Sequence, residues 1–173
     1  MAIYALGKIE PTIDGTAYVH PDAVVIGDVT IGAESSIWPC AVVRGDPGGI
    51  GIGARTSIQD GTVIHTTPQT PTRIGDECVI GHLVHLEGCT IGDGSLVGSG
   101  AIVLNGAVLE GECLVAAGAL VPGSLTVPRR AMALGVPATL KLDAVQPERH
   151  IRMGMAVYRE RGRTYREQLR RLD

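Results

Sequence analysis

The sequence has no phenylalanine, and its tyrosines and one tryptophan hold aromatic content to 3% of 173 residues. A core of stacked rings is excluded, so Ile, Val, Leu and Ala must fill it. No apolar run reaches the roughly 18 residues of a membrane span. The opening MAIYALGKIE lacks a charged segment followed by an apolar stretch, so no secretory signal is expected and the cytoplasm is the default location. Cysteine is scarce, four residues with no CxxC spacing, which speaks against structural zinc and fits a reducing compartment.

Glycine is abundant. With 24 Gly and 10 Pro, many turns and few long helices are expected. The length suits one domain able to bury a core. The net charge of −3 is uneven: residues 1–143 carry 7 Lys+Arg against 14 Asp+Glu, and residues 144–173 carry 8 Arg against 4 acids. Those arginines are spread along one apparent helix with no aromatic interleaving. A solvated face or an intersubunit contact is therefore favoured over nucleic-acid binding.

Apolar residues recur every six positions at Ile13, Val19, Val25, Ile31, Ile37 and Val43. The period resumes after an insertion at Ile52, Ile58 and Ile64, and after another at Ile74, Ile80 and Leu86. With one residue then missing, it runs from Ile91 through Val97, Val103, Leu109, Val115, Val121 and Val127 to Ala133. Four places beyond most starts stands a small residue, among them Ala23, Ser35, Ala41, Thr62, Cys78, Thr90, Ser95 and Cys113. Neither a helical period nor strand alternation fits. This is a hexapeptide repeat of the kind that builds a parallel β-helix. Resemblance to known hexapeptide-repeat proteins implies three hexads per triangular coil and left-handed winding, although parallel crossovers usually turn to the right. The expectation is thus an all-β chain, a single-stranded left-handed parallel β-helix of about seven triangular coils. At strand spacing of about 4.8 Å it would be about 33 Å long.

In such a coil the first hexad position points inward, the fifth fills a tight corner, and the second and third point outward. Cys78 and Cys113 then lie in an inward column with Ser95 between them, about 9.6 Å apart by strand spacing and too far for a disulfide. Cys40 and Cys89 fall at outward positions. From about Pro147 the pattern changes: Ile151, Met155, Tyr158, Gly162, Tyr165, Leu169 and Leu172 form a helical stripe interrupted by Gly162. The division is a β-helix domain over 1–143 and a basic amphipathic helix over 144–173.

Stacking hexads by threes places Arg44, His65 and Glu87 in one outward column on successive coils. Asp60 stacks beside His82 on the preceding face. Imidazole and carboxylate are zinc ligands, so His65 and Glu87 can close on one ion. His82 is five residues before Glu87 around a corner, up to about 16 Å of chain, which is out of reach within one subunit. A neighbouring copy in a threefold assembly would supply it. His85 falls at the corner position and is the alternative third ligand.

RGD (44–46), IQDGTVIH (58–65), IGHLVHLEGC (80–89) and the closing ALGVPA together resemble the signature of gamma-class carbonic anhydrases, over about residues 10–140. The resemblance implies a homotrimer that reversibly hydrates CO₂ to bicarbonate, a zinc-dependent lyase with Zn²⁺ (or Fe²⁺) between subunits. It implies His65 as a ligand from one chain and His82 from the next. Arg44 and Asp60 would be the pair linking subunits beside the metal, and Gln59 the residue orienting solvent. The chain departs from the family in having Glu87 where a histidine is usual, Pro47 where an acid often follows RGD, and no carboxylate in the loop TTPQTPTR (66–73). Two other classes use the same scaffold. One is a CoA-dependent acyltransferase with His82 or His85 as base, and the other is a non-catalytic trimeric binding or assembly protein.

Overall fold

The computed structural model describes residues 2–173, the side chain of Pro47 excepted. All twenty inward positions read from the repeat fall in strands. The chain is a left-handed parallel β-helix of three-hexad coils. One face carries β1 (Ala2–Tyr4), the first parts of β4 (Val24–Ile31) and β6 (Val42–Ile52), then β8 (Val63–His65), β11 (His85–Glu87), β14 (Ile102–Val103) and β17 (Leu120–Val121). The second carries β2 (Thr12–Ile13), the later parts of β4 and β6, then β9 (Thr72–Ile74), β12 (Thr90–Ile91), β15 (Val108–Leu109) and β18 (Thr126–Val127). The long strands β4 and β6 turn the corner, which joins these two faces into one 12-stranded sheet. The third face stacks β3 (Tyr18–Val19), β5 (Ser36–Ile37), β7 (Ser57–Ile58), β10 (Val79–Ile80), β13 (Leu96–Val97), β16 (Leu114–Val115) and β19 (Met132–Leu134).

Register follows the hexads: Val43 lies beside Ile64, Ile64 beside Leu86 and Leu86 beside Val103. These inward side chains form a single buried column of branched aliphatics. Each rung rests on two neighbours, so a missing or charged side chain is felt by the coils above and below. Two features escape a six-residue period. The N-terminal strand β1 adds an extra parallel rung, with Ile3 beside Val25. At the far end β20 (Thr139–Lys141) folds back antiparallel on β19 and closes the stack.

The missing residue between Leu86 and Ile91 changes one assignment. The corner residue is set by its distance to the following strand, so it stands two places before Ile91. Cys89 is therefore buried in the core and Thr90 is exposed, the reverse of the expectation. Cys78 and Cys113 are buried as expected, and burial pushes the thiols of Cys78 and Cys89 up to about 12. All four cysteines are unpaired.

A π-helical turn over Glu148–Arg152 leads into α1 (Met153–Gln168), which packs across β3, β5 and β7. Gly162, which interrupts the apolar stripe, marks the closest approach: a Cβ there would stand 3.3 Å from Cβ of Ser36. Trp38 lies beneath the helix among Tyr18, Tyr158 and Tyr165 in edge-to-face contacts, and its indole N–H donates to Ser36 and Ser57. Arg159 and Arg163 both reach Glu34, and Arg152 lies 3.7 Å from Glu112. Part of the basic face is thus satisfied by acids of its own coils. No described helix is long and apolar enough to cross a membrane.

Candidate metal and substrate site

Strand alternation builds the site. In β6, β8 and β11 the residues Val43, Ile64 and Leu86 point inward, so the residues on either side of each point outward. Glu87 lies beside His65 in register, and Arg44 follows Val43 one coil away. The side chains converge as the column requires. His65 Nδ1 is 3.5 Å from Glu87 Oε1, and His65 Nε2 is 2.9 Å from Asp46 Oδ1. Arg44 donates to the same Asp46. Burial works against the charge on Asp46, yet hydrogen bonds from His65 and Arg44 hold its carboxyl below the ordinary value.

Asp46 is the residue that sequence reasoning passed over, although its signal was present. Arg44 and Asp46 are two residues apart in a strand and so share a face. Gly45 between them answers a close approach, since a Cβ there would stand 2.4 Å from the Asp28 carbonyl oxygen of the preceding coil.

His85 is not at a corner. It lies within β11, on the same outward side as Glu87, with Nε2 3.4 Å from Glu87 Oε2. Glu87 therefore sits between two imidazoles, His65 at one carboxylate oxygen and His85 at the other.

His82 and Asp60 follow β10 and β7 at the next corner. Asp60 Oδ2 is 2.9 Å from His82 Nδ1, as the stacking implied, and the Tyr158 hydroxyl is 3.4 Å from Nε2. Gln59, expected at an outward position, is only 4% exposed on the face that α1 covers. Among the described residues of one chain, no group of three His, Cys, Asp or Glu side chains is placed to hold a metal ion. His82 belongs to a separate surface from His65 and Glu87.

A left-handed hexapeptide coil with histidines and carboxylates at its outward positions defines the class of protein. The bacterial transferase hexapeptide model (six repeats) matches residues 10–45 and 71–105. The chain is 41% identical over 138 residues to the carnitine operon protein CaiE of Escherichia fergusonii, covering 80% of this chain and 70% of that protein. It is 39% identical over 150 residues to CaiE of Shigella flexneri, covering 87% and 76%. Among solved structures, a putative acetyltransferase from Bacillus cereus superposes with a TM-score of 0.89 at 33% identity, covering 97% and 98%. A hexapeptide transferase family protein from Anaplasma phagocytophilum gives 0.89 at 34%, covering 95% and 98%. The chain belongs to the hexapeptide-repeat family that includes the CaiE proteins.

Proposed function

We propose that the chain is a metal-dependent lyase of the gamma-carbonic-anhydrase type. It would reversibly hydrate CO₂ to bicarbonate at a zinc (or ferrous) ion shared between copies of a cytoplasmic homotrimer. One observation carries the reading: the outward histidines form two half-sites, each already oriented by carboxylates. His65, Glu87 and His85 converge on one face, while His82 is held apart by Asp60.

The donor set fits a metal. Two imidazoles and a carboxylate make a catalytic zinc site with one position open. Asp60 stands beside His82 Nδ1, the kind of carboxylate partner that orients a ligating histidine, and Nε2, now facing the Tyr158 hydroxyl at 3.4 Å, would turn to the metal. His65 has a carboxylate at each ring nitrogen, so whichever nitrogen binds, the other is oriented. When bound, the metal supplies a Lewis acid that polarises substrate and acidifies water.

Arg44 fixes Asp46 and has further N–H groups for a carboxylate across the interface, where the resemblance places Asp60. Gln59, shielded from bulk solvent, would orient water. Glu87 adds negative charge to the donor set, which weakens the metal as an acid. Hydration is therefore expected to be slow compared with a three-histidine site.

The test is metal content and mass of protein purified without chelator. Metal near one ion per chain in a trimer, with measurable CO₂ hydration, is the expected result. A metal-free trimer that zinc does not bind would end the reading.

A second reading, CoA-dependent acyl transfer, draws on the names of the two structural neighbours and on His82–Asp60 as a general-base pair. Thermal protection by CoA, and none by zinc, would favour it.

A further inference from the structure

The corner beside His82 repeats on successive coils, and its residues sit in the left-handed region: Cys40 (φ +60°), Gly61 (φ +67°), Leu83 (φ +58°), Gly100 (φ +68°) and Gly118 (φ +67°). Their amides donate in turn to Asp22, Pro39, Asp60, His82 and Ser99, one coil back each time. Glycine takes this conformation without steric cost; a γ-branched side chain does not. Leu83 is nevertheless leucine and is 71% exposed. It lies back over Gly61, where a Cβ would be 2.7 Å from its Cδ2. Two unfavourable features coincide on the residue that follows His82.

The face carrying the other half-site has a complementary surface. Val63, His85 and Ile102 are neighbours in register and point outward. Val63 and Ile102 are each 39% exposed, so an apolar stripe flanks His85 beside His65 and Glu87.

We propose that Leu83 is an assembly knob. Carried by the same chain as His82, it seats on the Val63–Ile102 stripe of a second copy and walls the shared site with apolar surface. This rests on the shared-site reading, because adjacency to His82 is what brings Leu83 to that stripe. An apolar wall also suits a small uncharged substrate better than a charged one.

Leu83→Gly separates the contact from the backbone. The residue is left-handed whether or not a partner is present, so relief of that conformation cancels from the dissociation constant and appears only in unfolding. Sedimentation across a dilution series should show dissociation about tenfold easier per interface, the order expected when an apolar contact of this size is lost. The thermal midpoint of the dissociated variant should equal or exceed that of the dissociated parent. Metal content measured at high protein concentration should persist, and His82→Ala should abolish it. Unchanged or tighter assembly of Leu83→Gly overturns the knob, and a parent that stays monomeric at micromolar concentration with zinc overturns knob and shared site together. If Leu83→Gly assembles like the parent while His82→Ala loses metal, the knob alone has failed.

Discussion

Two faces of the prism carry the same kind of hexads and differ in what covers them. On the face of β3, β5 and β7 the outward Tyr18, Ser36, Trp38, Ser57 and Gln59 are buried, because α1 lies across them. On the face of β8, β11 and β14 the outward Val63 and Ile102 are exposed, and His65, His85 and Glu87 are half-buried. The hexad decides which side chains leave the core, but the rest of the chain decides which of them reach water. Under the proposed shared site, the chemistry of this more open face, with its paired histidines and apolar stripe, waits for a second copy.

The covered face should give the largest effect. Trp38→Ala removes the ring that Tyr158 and Tyr165 pack against and leaves a cavity, costing about 3–5 kcal/mol. Chemical denaturation should register that loss in metal-free protein. A change below 1 kcal/mol, the scale of surface substitutions, would mean that the helix does not hold this face.

The more open face should respond in metal rather than in folding. Glu87→Ala should empty the site with little change in melting, and His85→Ala should largely retain metal. Glu87→His should raise CO₂ hydration, because a neutral ligand leaves the metal a stronger Lewis acid. Metal lost in His85→Ala but kept in Glu87→Ala would reverse the assignment, and the 3.4 Å approach of His85 to Glu87 makes that a real alternative.

A smaller effect separates the faces by pH. Hydrogen bonds from Arg163 and Arg159 hold the Glu34 carboxyl below its ordinary value. A lowered carboxyl contributes stability above its unfolded value, and that stability is lost as pH falls through the lowered, folded one. Acidification below the ordinary carboxyl range should therefore loosen α1, seen as a red shift of Trp38 emission. Glu34→Gln should show that shift already at neutral pH. A variant whose emission matches the parent at every pH would remove Glu34 from the docking of the helix.

The interior was legible in the sequence because one constraint repeats. Nearly every first position of a hexad must be branched and apolar, with Ala133 the exception, so twenty positions announce themselves by period alone. The columns of His65 with Glu87 and of Asp60 with His82 were legible for the same reason, since stacking is part of the repeat. What depends on a residue's tertiary neighbours was not legible. The six-residue count placed Thr90 rather than Cys89 in the corner, because the deletion shifts the count while the following strand sets the geometry. It put His85 at a corner instead of in β11. Nothing in the hexads says that α1 buries Gln59, or that Asp46 turns to grip both Arg44 and His65.

The central claim, one site made from two copies, has a direct measurement. His65→Ala and His82→Ala chains are each expected to bind no metal as homotrimers. Co-refolded in equal amounts, each mixed trimer contains one interface at which an intact His65 meets an intact His82 in cyclic order. Random mixing should then restore about a quarter of the parental metal content. A mixture as empty as its components, or either variant holding metal alone, would contradict a site shared between copies.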